Sequence, residues 1–306
     1  MAAGSRASPE VRIGIDLGGT KTEGVVLNEA GDVLQRQRRP TPTPQGYEAI
    51  IRNVVDLVLA LEAEAGRACR VGIGAPGSIS RQSGLLRNSN TTCLNGRPLR
   101  ADLERLLGRP VRIENDANCF ILSEAMDGAA RDAPTAFGVI MGTGVGGGIV
   151  LNGRLHEGLQ CLGGEWGHNV LEPDGPPCYC GQRGCVELFL SGPGLVRDYE
   201  IHGGEPGHDA AWIAARADLG EPAADATIRR FLVRFGRALA TVINILDPHV
   251  IVLGGGLSHM SRLYDDGPAE VARHVFIDEF VTPIRRNAHG DSSGVRGAAQ
   301  LWAPFE

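Results

Sequence analysis

Apolar residues alternate with small or polar ones from Val11 to Ile15 and run into Asp16, which predicts a strand entering the turn Leu17-Gly18-Gly19-Thr20. Thr22 to Leu27 and Val33 to Arg39 read as two further strands, separated by the turn Asn28-Glu-Ala-Gly31. The period then changes. Ile50, Ile51, Val54, Leu57, Val58 and Leu61 recur at helical spacing and predict a helix over Tyr47 to Ala65, before Val71 to Ala75 returns as a buried strand ending at Pro76-Gly77. Val111 to Glu114 is a short strand, and Asn115 to Ala130 a helix with Asn115 or Asp116 in its capping region. Strands alternating with helices give an α/β fold class.

From Ala136 the opening scheme repeats. A strand to Met141, the turn Gly142-Thr143-Gly144 and a strand over Gly148 to Leu151 copy the first strand, turn and strand, so the halves read as two versions of one unit. After an irregular Pro- and Cys-rich stretch from Glu172 to Cys185, helices are expected over Gly194 to His202, His208 to Ala217 and Ala224 to Leu246. His249 to Leu253 is then a strand entering Gly254-Gly255-Gly256 and a helix, and Ser292 or Ser293 can cap a last helix that folds back on the first lobe.

Composition narrows the function classes. With 42% hydrophobic and 22% charged residues and a net charge of -6, the chain has no electrostatic pull towards nucleic acid. No apolar run approaches the ~18 to 20 residues a membrane span needs, and the start lacks a secretory apolar segment, so no membrane partner and a cytoplasmic location are expected. Glycine stands out at 43 of 306 residues, about twice the usual ~7%, which implies repeated tight backbone turns. Lys21 is the only lysine in a chain otherwise using arginine, and it adjoins the first glycine turn.

Three glycine turns follow strands. Asp16, Gly18, Gly19, Thr20 and Lys21 suit a phosphate approached by backbone amides, with Asp16 available to hold magnesium through water. Gly142, Thr143 and Gly144, and Gly254, Gly255 and Gly256, have the same form, although each turn taken singly is more often a plain hairpin or connection. Together, spread over two similar halves, they suit a clamped nucleotide. Asp116, at a strand-to-helix junction on the carboxyl edge of a sheet, is placed either as a helix cap or as a general base. His168, Cys178, Cys180 and Cys185 offer one imidazole and three thiolates within eighteen residues, the donor set of a closed, structural zinc site, with Gly181 and Gly184 letting the chain bend. The scattered Cys69, Cys93, Cys119 and Cys161 are read as ordinary packed cysteines.

These pieces resemble the ROK family of sugar kinases and repressors over nearly the whole chain, Val11 to about Trp302. The resemblance is carried by the Asp16-to-Lys21 turn, Ala75-Pro-Gly77, Asn115-Asp116-Ala-Asn118, the glycine stretch Gly142 to Gly153, Glu165-Trp-Gly-His168, the Cys178-to-Glu187 segment and Val252-Leu-Gly-Gly-Gly256. It implies a two-lobed actin-like or hexokinase-like ATPase fold with ribonuclease H-like duplicated domains and a cleft between lobes. The implied division is a disordered tail at 1-9, an N-terminal lobe at 10-118, a C-terminal lobe at 119-290 with a zinc loop at 168-187, and a returning helix at 291-306.

The same resemblance implies ATP, Mg2+ and structural Zn2+ as cofactors and a sugar as the small-molecule partner. It makes Asp116 the catalytic base and Asn90, Asn115, Asp116, Glu165, His168 and Glu187 the sugar-binding residues, with His168 binding zinc through one ring nitrogen and sugar through the other. It also admits a homodimer, dimers being common among such proteins. Within the family, Pro76-Gly-Ser-Ile-Ser80, Leu94-Asn-Gly96 and Ile243-Asn-Ile-Leu-Asp-Pro248 look most like fructokinases of the manno(fructo)kinase type, so fructose phosphorylation at the 6-hydroxyl is the expected activity. N-acetylglucosamine kinase and glucokinase are the alternatives, and a sugar-sensing protein the non-enzyme one. A repressor would need a DNA-reading domain, for which the sixteen residues up to the first turn leave no room. One departure concerns the sugar: Asn90-Thr-Thr-Cys93 stands where the family often has Asn-x-x-Trp, and the small side chain widens the pocket.

Overall fold

The computed structural model describes residues 11–302; the expected tail at 1-9 and the last four residues of the expected 291-306 segment lie outside the described residues. The chain divides into two compact units, one formed by residues 1–127, 158–162 and 292–306 and the other by 128–157 and 163–291.

In the first unit, β1 (Arg12–Leu17), β2 (Lys21–Leu27) and β3 (Val33–Pro40) form an antiparallel meander, α1 covers Tyr47–Ala65, and β4 (Arg70–Ala75) pairs parallel to β1. A two-stranded hairpin, β5 (Ser78–Ile79) and β6 (Leu86–Arg87), precedes α2 (Leu99–Leu107), and β7 (Val111–Asn115) completes the five-stranded order β3-β2-β1-β4-β7. The helical periodicity of α1 turns Ile50, Ile51, Val54, Leu57, Val58 and Leu61 onto Ile13, Ile15, Val71 and Ile73 of the sheet, which forms the core of this unit. Gly66 ends the helix in the left-handed conformation, its N–H bonding to Glu62 O.

α3 (Asp116–Asp127) begins one residue later and ends three residues earlier than the sequence pattern suggests. Asn115 is still the last residue of β7, paired with Ala75, and the helix stops before Gly128. It packs against the C-terminal helix Ser293–Gln300, which also lies on β1 and β4. Glycine makes that approach possible. A β-carbon at Gly14 would strike the Val295 carbonyl, one at Gly72 the Ala298 carbonyl, and one at Gly297 the Cys119 carbonyl. Much of the glycine surplus is thus spent on close packing rather than turns. The expected serine cap of this helix is absent: Ser292 makes no side-chain cap bond, and the Ser293 hydroxyl donates instead to the buried Glu124 carboxylate at 2.8 Å. Because α3 belongs to this unit, the observed division falls at Asp127, whereas a boundary at 118/119 would cut the helix.

The second unit repeats the topology. β8 (Thr135–Met141), β9 (Val145–Leu151) and β10 (Arg154–Leu155) are an antiparallel meander, followed by the short α4 (Glu187–Leu190), α5 (Gly192–Ile201), α6 (Ala210–Asp218) and the 25-residue α7 (Pro222–Leu246). β11 (Val250–Gly254) and β12 (Ile284–Arg286) then add parallel strands in the order β10-β9-β8-β11-β12. Phe137, Val139, Ile251 and Leu253 of this sheet share a core with Ile228, Phe231, Phe235 and Leu239 of α7. Side-chain caps fix the starts of three helices, the Ser191 hydroxyl accepting from Gly194 N–H, Asp209 from Trp212 N–H and Glu221 from Ala224 N–H.

Two sequence expectations change here. β9 starts at Val145 rather than Gly148, because its glycines are ladder residues: a β-carbon at Gly147 would collide with Trp166 and the Gly164 carbonyl. After β11 no long helix follows; the chain enters the 3-10 turn Gly256–His259 and two short helices, α8 (Arg262–Asp265) and α9 (Gly267–Ala272). Among the described residues no helix is long and apolar enough to cross a membrane.

Candidate functional site

In the first unit the β1–β2 turn is closed by Gly18 N–H donating to Lys21 O at 3.0 Å. Thr41 braces it from β3's end, its hydroxyl donating to Gly18 O at 2.7 Å and meeting the Thr22 hydroxyl at 2.8 Å. Gly19, Thr20 and Lys21 are left exposed at the rim, and Asp16 stands half-buried behind them. Desolvation pushes the Asp16 carboxyl up to about 7, and the nearby Asp116 and Glu23 carboxylates add to the rise while Lys21 opposes it. A carboxyl with this pKa is a natural seat for a cation, which would restore its charge.

The sign of the stability effect follows. Unfolded, Asp16 ionises near its ordinary 3.8; folded, it keeps its proton to about 7. Between these values unfolding releases a proton, so stability falls as pH rises from about 4 to about 7 and the effect then levels off. Asp16→Asn removes this contribution, and urea midpoints of the variant at pH 5 and pH 7 should differ less than those of the parent. Equal pH slopes for the two proteins would contradict the assignment.

Asp116 opens α3. Its Oδ1 accepts Ala117 N–H at 2.8 Å, and the Asn115 side-chain oxygen accepts the same N–H at 2.9 Å, so Asn115 serves this free N–H from the cap position and Asp116 from the first helical position. Solvent reaches Asp116, yet the surrounding protein desolvates it enough to raise its pKa, against hydrogen bonds from Ala117, its own N–H and Asn115. Capping and proton acceptance are compatible, since the cap bond uses one carboxylate oxygen. The Asn115 amide donates to Gly77 O at 3.2 Å, which ties the junction to the loop after β4. Asn90 is exposed, and Cys93 is half-buried against the core of this unit.

In the second unit the turns at Gly142–Gly144 and Gly254–Gly256 meet around one cavity of about 680 Å³. Gly142, Thr143, Gly256 and Leu257 line one part of it; Ala210, Ala211, Ala214 and Ala215 of α6 line another. Gly255 has φ +79°, and a β-carbon there would strike the Met141 carbonyl, so only glycine lets β11 run beside the second turn. The alanine wall has no counterpart in the sequence reading. Its signal is small residues at i, i+1, i+4 and i+5, which place a flat face on one side of a helix.

Glu165, Trp166 and His168 are set by Trp166. Its indole N–H donates to Gly146 O at 3.0 Å and its ring meets Phe137 edge-on, which holds the 3-10 turn Trp166–His168 against β9. Glu165 is half-buried at the start of that turn. Glu187, expected on the sugar, accepts Val145 N–H through Oε2 at 2.9 Å, and therefore also braces the second glycine turn.

One ligand atom each from His168, Cys178, Cys180 and Cys185 falls within 4.8 Å of all the others. Cys180 Sγ is 3.6 Å from Cys185 Sγ, and Cys178 Sγ is 3.7 Å from His168 Nδ1. A tetrahedral zinc with ordinary bond lengths has S···S and S···N edges of roughly 3.6 to 3.8 Å, so the donor set fits that ion in chemistry and size. Gly181 and Gly184, at φ +92° and +64°, make the bends between the ligands. Burial and then the neighbouring Cys180 and Cys178 thiols push Cys185 up to about 12. Desolvation raises Cys180 too, but hydrogen bonds from Gln182 N–H, Cys178 and Cys185 outweigh it and lower its pKa. The second ring nitrogen of His168 is not turned to open solvent: Nε2 lies 3.0 Å from the Tyr179 hydroxyl.

Comparison with known proteins agrees with this architecture. The profile of the ROK family matches residues 12–304. An N-acetyl-D-glucosamine kinase of Haemophilus influenzae is 40% identical over 300 residues, 94% of this chain and 98% of that protein, and one from Yersinia pseudotuberculosis is 40% identical over 298 residues, covering 94% and 97%. Among solved structures, the ROK hexokinase from Thermus thermophilus superposes with a TM-score of 0.82 at 33% identity, covering 94% of this chain and 96% of that one. The ROK glucokinase from Streptomyces griseus, in complex with glucose and AMPPNP, gives 0.79 at 28% identity, covering 95% and 98%.

Proposed function

Since the chain belongs to the ROK family, as a sugar kinase, we propose that it is an N-acetylglucosamine kinase that transfers the γ-phosphate of ATP to the sugar's 6-hydroxyl. The observation carrying this choice is the 40% identity to N-acetyl-D-glucosamine kinases along 94% of the chain. The expectation of fructose rested on short segments such as Pro76–Ser80, and whole-chain similarity outweighs them. Cys93, small where an indole is common, agrees with a sugar bearing an acetamido group.

In this reading Asp116 takes the proton of the 6-hydroxyl as its oxygen attacks the γ-phosphorus and the bond to ADP breaks. Its raised pKa suits a base that must hold a proton transiently. Asn90, Asn115, Glu165, His168 and Glu187 are the residues that would bind sugar hydroxyls. Asp16, Gly18, Gly19, Thr20 and Lys21 serve the phosphates, as do Gly142, Thr143 and Gly144. Gly254, Gly255 and Gly256 serve the nucleoside, and the alanine face of α6 gives it an apolar wall. Magnesium, held through Asp16, would neutralise charge on the triphosphate. His168, Cys178, Cys180 and Cys185 hold a structural zinc that fixes the loop carrying Glu187.

The test is coupled ADP release with ATP and Mg2+ over N-acetylglucosamine, glucose, mannose and fructose. The highest kcat/KM is expected on N-acetylglucosamine, at least about tenfold above fructose, the discrimination one sugar-specific hydrogen bond supplies. The reverse order would restore the fructokinase reading, and no turnover on any sugar would favour a sugar sensor.

A further inference from the structure

Tyr179 is 68% exposed, yet it sits between two of the clustered metal-type donors, Cys178 and Cys180. Its ring meets the His168 imidazole edge-on, with centroids 5.1 Å apart and planes at 88°, and its hydroxyl oxygen is 3.0 Å from Nε2. The other nitrogen, Nδ1, faces the thiols at 3.7 Å from Cys178 Sγ. A metal on Nδ1 uses that nitrogen's lone pair, so the single proton of the neutral ring must reside on Nε2. Nε2–H then needs an acceptor, and the Tyr179 oxygen is the one within reach. We propose that Tyr179 is a positioning residue for the metal centre: by accepting the Nε2–H of His168 it fixes the tautomer and ring orientation in which Nδ1 presents its lone pair to the ion.

Because Tyr179 lies one residue from each of two thiolate ligands, folding of the loop around the metal also carries the hydroxyl to the imidazole. Thiolate ligands and acceptor are thereby supplied by the same short stretch of chain, Cys178 to Cys180. The interaction also bears on the sugar. A hydroxyl that uses His168 Nε2 has to share or displace Tyr179, so this residue sets how freely the imidazole can serve the substrate.

The inference rests on the zinc reading, and the experiment separates the two. Zinc content is measured on the purified full-length protein, and zinc affinity is then obtained by chelator competition for wild type, Tyr179→Phe and Tyr179→Leu. Loss of a hydrogen-bond partner to a ligating histidine typically weakens metal binding about 10- to 100-fold, and Tyr179→Phe, which keeps the ring, should already show that loss, with Tyr179→Leu adding little. Wild-type affinity in Tyr179→Phe with a loss only in Tyr179→Leu would make the role one of packing and overturn the proposal, as would equal affinity in all three. A wild type that neither contains nor takes up zinc would overturn the zinc reading itself, and the proposal with it. Unchanged circular dichroism of the zinc-loaded variants guards against misfolding, which an exposed Tyr-to-Phe change is not expected to cause.

Discussion

Asp116→Asn is expected to lower kcat by about 10²- to 10⁴-fold, the range that a positioned general base contributes, while the KM for sugar changes by no more than a few-fold. The substitution keeps the shape of the side chain, and its amide oxygen can still accept Ala117 N–H, the bond that Asp116 makes at 2.8 Å, so α3 should start as before. What it removes is the capacity to take a proton. Desolvation raises the pKa of the native carboxyl, against hydrogen bonds from Ala117 N–H, its own N–H and the Asn115 side chain, and so favours uptake of a proton. Steady-state kinetics with ATP and N-acetylglucosamine give the result directly. A variant with the parent's kcat would remove Asp116 from the chemistry and leave it as a helix cap.

The second large effect is expected at Cys185. Its side chain is fully buried, its backbone pairs with Val170, and its neighbour Val186 donates to Asn169 O at 2.9 Å. Cys185→Ser takes away one of the four clustered donor atoms proposed to hold zinc, at the point where the loop rejoins α4. The variant should lose stoichiometric zinc and, by removing a buried metal anchor worth at least about 3 kcal/mol, lower Tm by on the order of 10 °C. The consequence should reach the nucleotide too. Glu187, two residues on, accepts Val145 N–H beside the second glycine turn, so a loosened loop raises KM for ATP as well as for sugar. Metal analysis, thermal unfolding and kinetics of the variant check the three parts. A zinc-free variant with unchanged Tm and KM would show that the cluster is not a structural anchor.

The strands and turns were legible because their signals are local. α1 spans Tyr47–Ala65 as its periodicity requires, and the repeat of meander, glycine turn and parallel strand is the same in both sheets. The convergence of His168, Cys178, Cys180 and Cys185 was legible for a chemical reason: three thiols and an imidazole in one short segment suit a metal, and the structure brings their donor atoms together. Less could be read where tertiary contacts decide. Gly14, Gly72 and Gly297 look like strand or helix weaknesses in the sequence, and only the approach of the C-terminal helix explains them. Ser293 carries a capping signal but spends its hydroxyl on Glu124, a residue 169 positions away. The alanine face of α6 is invisible to hydrophobic periodicity because its use is to leave space. Sugar identity was the least legible, since a few polar contacts can decide it, and each net hydrogen bond contributes only about 0.5–1.5 kcal/mol.

Phosphoryl transfer from ATP to a sugar is tested by identifying the product. Incubated with ATP, Mg2+ and N-acetylglucosamine, the purified protein should yield stoichiometric ADP and N-acetylglucosamine 6-phosphate, seen by phosphorus NMR as a phosphomonoester coupled to the protons of carbon 6. ADP formed at the same rate with and without sugar, accompanied by inorganic phosphate and no phosphomonoester, would contradict sugar phosphorylation.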